Sequence, residues 1–197
     1  MRSIILALLS LTLGGSATYA QGLNPAFLSR RAEVSLGYNY TNANAPPAGC
    51  DCFGMSGGYV SAEINTRRWL SVAGKFTGGH ANDISTLGQN LTLLTFTVGP
   101  KVSLTGRRLA PFGQFLIGGA HASDSYFPSG TSSKTTATSF AYITGGGMDV
   151  NLSSRFAVRA FDVEFLRTAF PNGANDRQNH LTVGAGIVMK LGHGSRF

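Results

Sequence analysis

From residue 91 to residue 122 the chain reads LTLLTFTVGPKVSLTGRRLAPFGQFLIGGAHA, and in its first half Leu94, Phe96, Val98, Val102 and Leu104 alternate with Thr95, Thr97, Gly99, Lys101 and Ser103. A period of two puts each set on its own face of a strand, one apolar and one polar. The run is longer than the ~5–6 residues usual for a globular strand. It reaches the ~9–11 that a tilted strand needs to cross a bilayer. The second half runs back after a turn at 105–108, so the segment reads as a long hairpin.

The same alternation recurs on both sides of this hairpin. In 32–40, Val34, Leu36, Tyr38 and Tyr40 oppose Glu33, Ser35, Gly37 and Asn39, and in 57–65, Val60, Ala62 and Ile64 oppose Tyr59, Ser61, Glu63 and Asn65. With 69–77, 91–104, 111–122, 139–150, 156–168 and 180–191 the count is eight, an even number, as in closed single-chain bacterial barrels. Two positions predict a β-bulge. Pro100 cannot donate to a ladder, so one is expected at Gly99-Pro100. In RAFDVEF, Arg159 is out of phase with Asp162 and Glu164, so a second is expected near Ala160-Phe161. In 111–122, Phe112, Phe115, Leu116 and Ile117 fall on both faces, which leaves the facing of that strand open.

Connections alternate in length. NTRRWL, TGRRLA and SSRFAV are short turns of one kind, a small polar pair followed by arginine and an apolar residue, and Arg30-Arg31 falls at the same end. Between them lie loops at 41–56, 78–90, 123–138 and 169–179. Short turns on one side and long loops on the other are the pattern of an up-and-down barrel in an outer membrane; a sandwich has no reason to sort them by end. The polar face carries Glu33, Glu63, Lys75, Lys101, Asp149, Arg159 and Lys190 among many Gly, Ser and Thr. Charges of both signs recurring there fit a narrow polar lumen in which they pair, with the Leu/Val/Ile/Phe face toward lipid. The expected fold is therefore all-β, an eight-stranded antiparallel up-and-down transmembrane β-barrel over 21–197.

Composition agrees: only 13% of the 197 residues are charged, 26 are glycine and 10% are aromatic. Residues 1–20, with Arg2, an apolar run from Ile4 to Leu13 and a small-residue end at Ala20, read as a secretory signal peptide. The net charge of +7 does not point to nucleic acid, because the basic residues fall at separate turns and not along one stripe. Cys50 and Cys52 stand in AGCDCFG. In an exported protein a disulfide staple is the first reading and a pair of free thiols the second. A metal site is not expected, since zinc wants four ligands and none stands nearby.

Together these residues resemble the small eight-stranded outer-membrane barrels of the OmpA/OmpX-type and opacity-protein group. The best local part is GGGMDVNLSSRFAVRAFDVEF, similar to that group's strand, short turn and strand with an inward acid and an inward arginine. The resemblance implies ion pairs across the lumen, Asp149 with Lys101 and Arg159 with Glu63. LTVGAGIVMKLG looks like the group's last strand, although it ends on Met189 and Leu191 where aromatics are usual.

Enzymatic signals are thin. His121-Ala122-Ser123 resembles the H-x-S of lipid A deacylase barrels, but Asp124 departs from that family's continuation and no orienting acid is in phase. His80 with Asp83 stands alone in a polar loop, and His180 and His193 have no partner in the sequence. No catalytic residue, metal or cofactor is expected. The expected role is structural or surface-interacting, through loops that meet an extracellular ligand, in a monomer surrounded by outer-membrane lipid. A narrow pore is the second reading and a lipid A-type esterase the third.

Overall fold

A computed structural model describes residues 32–45, 51–82, 84, 89–104, 106–125, 127–129, 132–172 and 176–191. The signal peptide 1–20, Arg30-Arg31, Asp83, His193 and the side-chain pairing of Cys50 with Cys52 lie outside them. The described residues form ten strands and no helix: β1 (Ala32–Ala45), β2 (Asp51–Asn65), β3 (Leu70–Ala81), β4 (Leu91–Ser103), β5 (Leu109–Ser123), β6 (Phe127–Ser129), β7 (Ser132–Lys134), β8 (Ala137–Asn151), β9 (Phe156–Thr168) and β10 (Gln178–Leu191).

Eight of these close on themselves in the order β1-β10-β9-β8-β5-β4-β3-β2, every pair antiparallel. Closure removes the free edges that an open sheet would offer to another chain. The alternation read in the sequence sets the faces. Leu36, Tyr38, Val60, Val72, Phe76, Phe96, Ile117, Phe140, Val163, Leu181 and Ile187 are exposed on the outside. Ser35, Asn39, Glu63, Lys75, Thr97, Lys101, Asp149, Arg159 and Asp162 are buried inside. An exterior of large apolar side chains around a charged interior is the inverse of a soluble barrel and suits a lipid solvent.

β5, whose facing the alternation left open, has Phe112, Gln114, Leu116, Ala120 and Ala122 buried while Phe115, Ile117 and His121 point outward. Its inward side chains are largely apolar, which is why no polar face was visible.

Three expectations need correction. No bulge forms at Gly99-Pro100: the β3–β4 ladder runs through, pairing Ala73 with Gly99 and Val72 with Pro100. The β4–β5 ladder skips both residues and resumes in the same register, Val98 opposite Ile117 and Lys101 opposite Gln114. The donor that proline lacks is thus lost on one side only, with no residue inserted. The loops are also shorter than expected, because β1 continues to Ala45, β2 begins at Asp51 and β3 continues to Ala81. Lastly, the 123–138 connection carries its own small hairpin, β6 with β7, pairing Phe127 with Lys134.

The bulge in β9 is present. Met148 pairs with Phe161 and Asp149 with Arg159, leaving Ala160 as the extra residue, and the β10 ladder shifts across the same place. Ala160 and Phe161 both face outward, so Arg159, Asp162 and Glu164 can all face inward.

Candidate functional site

Among the described residues, buried charged side chains gather in the lumen, and its content divides by level. The level nearer the short turns is ionic. Five carboxylates, Glu33, Glu63, Asp149, Asp162 and Glu164, meet four cations, Lys75, Lys101, Arg159 and Lys190, on the inward positions of the described strands. Burying such groups is tolerable only when partners satisfy them.

Lys101 Nζ lies 2.8 Å from Glu63 Oε1. Ser71, on the strand between them, donates its hydroxyl to Glu63 Oε2 at 3.1 Å. Arg159 reaches Asp149 with Nε to Oδ1 at 2.9 Å and Nη2 to Oδ2 at 3.2 Å. Its Nη1 lies 3.7 Å from Asp162 Oδ2. Lys75 Nζ holds Asp162 Oδ2 at 2.9 Å and Glu164 Oε1 at 2.6 Å, and Gln114 Nε2 donates to the same Glu164 oxygen. Since β3 and β9 stand opposite each other in the strand order, Lys75 ties the barrel together across its bore. Lys190 Nζ donates to Asn151 Oδ1 near the turn.

The four residues expected to pair are all here, but with partners exchanged: Lys101 takes Glu63, not Asp149, and Arg159 takes Asp149, not Glu63. Strand order gives the reason. Asp149 and Arg159 sit on adjacent strands as direct register partners. Lys101 and Glu63 are separated by one strand, β3, whose Ser71 also donates to Glu63.

Two aromatic rings stand among the charges, and neither was singled out from the sequence. Phe112 lies between cations, its ring centroid 4.3 Å from Lys101 Nζ and 4.4 Å from the Arg159 guanidinium carbon. Lys75 Nζ sits 4.3 Å over Tyr59. These contacts offer the desolvated cations a further favourable partner. The Tyr59 ring fits against Gly37 and Gly186, where any Cβ would collide with it and with the backbone carbonyls of Ala185 and Leu36.

The level nearer the long loops is apolar, which the alternation did not announce. Met55, Leu91, Leu93, Leu116, Ile143 and Leu166 pack with alanines from several strands into one cluster. Phe127 of the small hairpin and Phe170 cover it, their ring centroids 5.6 Å apart. Between the two levels lies a cavity of about 20 Å³, bordered by Asn39, Thr77, Thr95, Glu164, Leu93 and Ile143. That volume suits about one water molecule.

Among the described residues, His121 and Ser123 each bond to a partner other than the other. His121 faces outward with Nδ1 2.8 Å from Thr138 Oγ1. Ser123 donates its hydroxyl to Asp124. His80 contacts Thr92 Oγ1 at 2.9 Å and Asn82 Oδ1 at 3.0 Å. His180 is buried and 3.4 Å from Thr168 Oγ1.

An eight-stranded antiparallel barrel, apolar outside and filled inside, defines the class as a small transmembrane β-barrel. The family model of the outer membrane protein beta-barrel domain matches residues 6–188, and the chain belongs to that family. It is accordingly a protein of the outer membrane. Among solved structures it is similar to Ail, the attachment invasion locus protein of Yersinia pestis, at 15% identity and a TM-score of 0.57, covering 82% of this chain and 99% of that one. Ail in complex with the heparin analogue sucrose octasulfate matches at 14% identity and 0.56, covering 82% and 99%. Neisserial surface protein A matches at 12% identity and 0.57, covering 80% and 96%. At these identities the likeness is one of fold. No curated protein sequence matches the chain.

Proposed function

We propose that this barrel is a non-conducting, non-enzymatic monomer that serves the outer membrane as a structural element and meets its partners through the loop end, after export directed by residues 1–20. The observation that carries the reading is the double filling of the lumen: a paired ionic level and an apolar level stand in series along the bore. A pore needs a continuous hydrated path, and a cavity of about 20 Å³ between the two levels is too small to be part of one. The outer surface and the loops then remain as the places where a partner can be met.

Planar bilayers containing the purified protein should stay electrically silent, and a persistent open channel would reverse the choice between scaffold and pore. Loop presentation has its own test. Replacing residues 124–136, which include the β6–β7 hairpin, by a short Gly-Asn turn should abolish binding to host-type surfaces while the barrel keeps its heat-modifiable migration. A sulfated glycan is the first ligand class to try, because the loop end carries Lys134, Arg167 and Arg177 and a barrel of this fold has been solved with sucrose octasulfate. Undiminished binding without the hairpin would place the contact elsewhere on the barrel.

A further inference from the structure

One strongly charged feature lies outside the lumen. At the short-turn rim, Arg67 and Arg68 follow β2, Arg107 and Arg108 follow β4, and Arg155 follows β8, all five exposed. Among the described residues of these turns, 66–69, 106–108 and 152–155, there is no aspartate or glutamate. The acids nearest this rim, Glu33, Glu63 and Asp149, stand at inward positions; Glu63 and Asp149 are paired with Lys101 and Arg159, and Glu33 is the register partner of Lys190 and Glu63.

The arginines are not carried on loose segments. The amides of Thr66 and Arg67 both donate to the Leu70 carbonyl, and the amide of Ser103 donates to the carbonyl of Trp69. The amide of Asn151 donates to the Arg108 carbonyl and its side chain to that of Gly106, while Lys190 donates its amide to the Arg155 carbonyl. The backbones of the turns are thus fastened to one another around the rim, which fixes where the guanidinium groups leave the barrel.

Beside every turn stands a large exposed apolar side chain: Trp69 at the first, Leu104 and Leu109 at the second, Leu152 and Phe156 at the third. A cationic group held directly next to a large apolar side chain, repeated at each of the three described turns, matches a ligand that is anionic at one end and hydrocarbon at the other. A soluble anion would use the charge and ignore the apolar side chain. The opposite end is mixed in sign, with Asp124 and Asp176 among Lys134, Arg167 and Arg177, so this one-signed rim is particular to the short-turn side.

We propose that the short-turn rim is a binding collar for anionic phospholipid headgroups of the leaflet it faces. Its arginines hold the phosphates bidentately while Trp69 and its neighbours lie against the upper acyl chains. The proposal rests on the membrane reading of the barrel but not on the function of its loops.

Trp69 is the chain's single tryptophan and lies within one of the turns, so it reports on the collar directly. The protein is reconstituted in phosphatidylcholine vesicles containing equal fractions of either phosphatidylglycerol or phosphatidylcholine brominated high in the acyl chains, and quenching of Trp69 is read. The expected result is a preference for the brominated anionic lipid of about five-fold in relative affinity, the scale of one arginine's attraction to such a surface. That preference should fall to parity in Arg67→Gln/Arg68→Gln and weaken steeply with added salt. Equal quenching by both lipids in the unaltered protein, or a preference indifferent to the substitution or to salt, would overturn the collar. Heat-modifiable migration checks the fold separately. If the variant does not fold, the salt titration on the unaltered protein decides. Capture on isolated peptidoglycan that depends on the arginines, with no lipid preference, would also overturn it.

Discussion

Arg159 grips Asp149 with two nearly parallel hydrogen bonds, from Nε and Nη2 to the two carboxylate oxygens, and does so from the residue immediately before the β9 bulge. Both are buried, and Arg159 is only 1% exposed. Replacing Arg159 by leucine leaves Asp149 desolvated without its counter-charge and removes one neighbour of Asp162. The expected loss is about 3–5 kcal/mol, read by urea unfolding in vesicles with Trp69 fluorescence. Arg159→Lys should recover only part, because an ammonium cannot make both bonds. Removing both charges, in Arg159→Leu/Asp149→Leu, should cost less than Arg159→Leu alone. A double variant weaker than the single one would mean that the pair is not the source of the loss.

Much of this fold could be read from the chain because lipid demands unbroken alternation on the outer face of every strand. The inner face obeys a weaker rule. It must be filled, but charge and hydrocarbon both fill it. Leu93 lies in phase with Thr95 and Thr97, and Leu116 in phase with Gln114, so the apolar level looked like noise in the polar pattern. The disorder of β5 was in fact its signature. Ion partners were legible as a set but not as pairs, since pairing depends on strand order and on distances across the bore. Lys75 shows this most clearly: its register neighbours are Ser61 and Thr97, while its acids come from β9 on the far wall. The β9 bulge was legible because three charges in RAFDVEF could not share one face without it. Pro100 misled because a ladder gap satisfies proline as well as a bulge does.

Deleting Ala160 tests the bulge. Without the extra residue, Arg159 stands two positions before Asp162, so strict alternation keeps Arg159, Asp162 and Glu164 on the inward face and Phe161 on the outer one with no bulge. The deletion should therefore keep heat-modifiable migration, as should Ala160→Val, which only adds outward apolar bulk. A deletion variant that no longer folds would show that the bulge does more than set the facing of these charges.

Gly37 and Tyr59 form a socket and plug on adjacent strands. Tyr59 is 2% exposed and its ring occupies the space a side chain at Gly37 would need. Gly37→Ala is expected to destabilise by about 1–3 kcal/mol through overpacking. Removing the ring does not fully relieve this, because the Ala185 carbonyl crowds the same position and belongs to the backbone. In a Tyr59→Ala background most of the Gly37→Ala cost should persist, as measured in the same unfolding assay. Complete relief would assign the crowding to the ring alone.

Which level seals the bore can be asked one layer at a time. Lys75, Asp162 and Glu164 cross the ionic level from wall to wall, so changing all three to alanine opens it without leaving an unpaired charge within the group. Current should still be absent, because Leu93, Leu116, Ile143 and Leu166 remain packed above and exclude water. Leu116→Ser/Ile143→Ser alone should also be silent, since Lys75 still spans the bore. Only the combined variant should give discrete conductance steps in a planar bilayer, with heat-modifiable migration confirming a folded barrel in each case. Steps from the triple alanine variant alone would reduce the apolar level to packing and make the ionic level the seal. Steps from the serine variant alone would reverse that assignment.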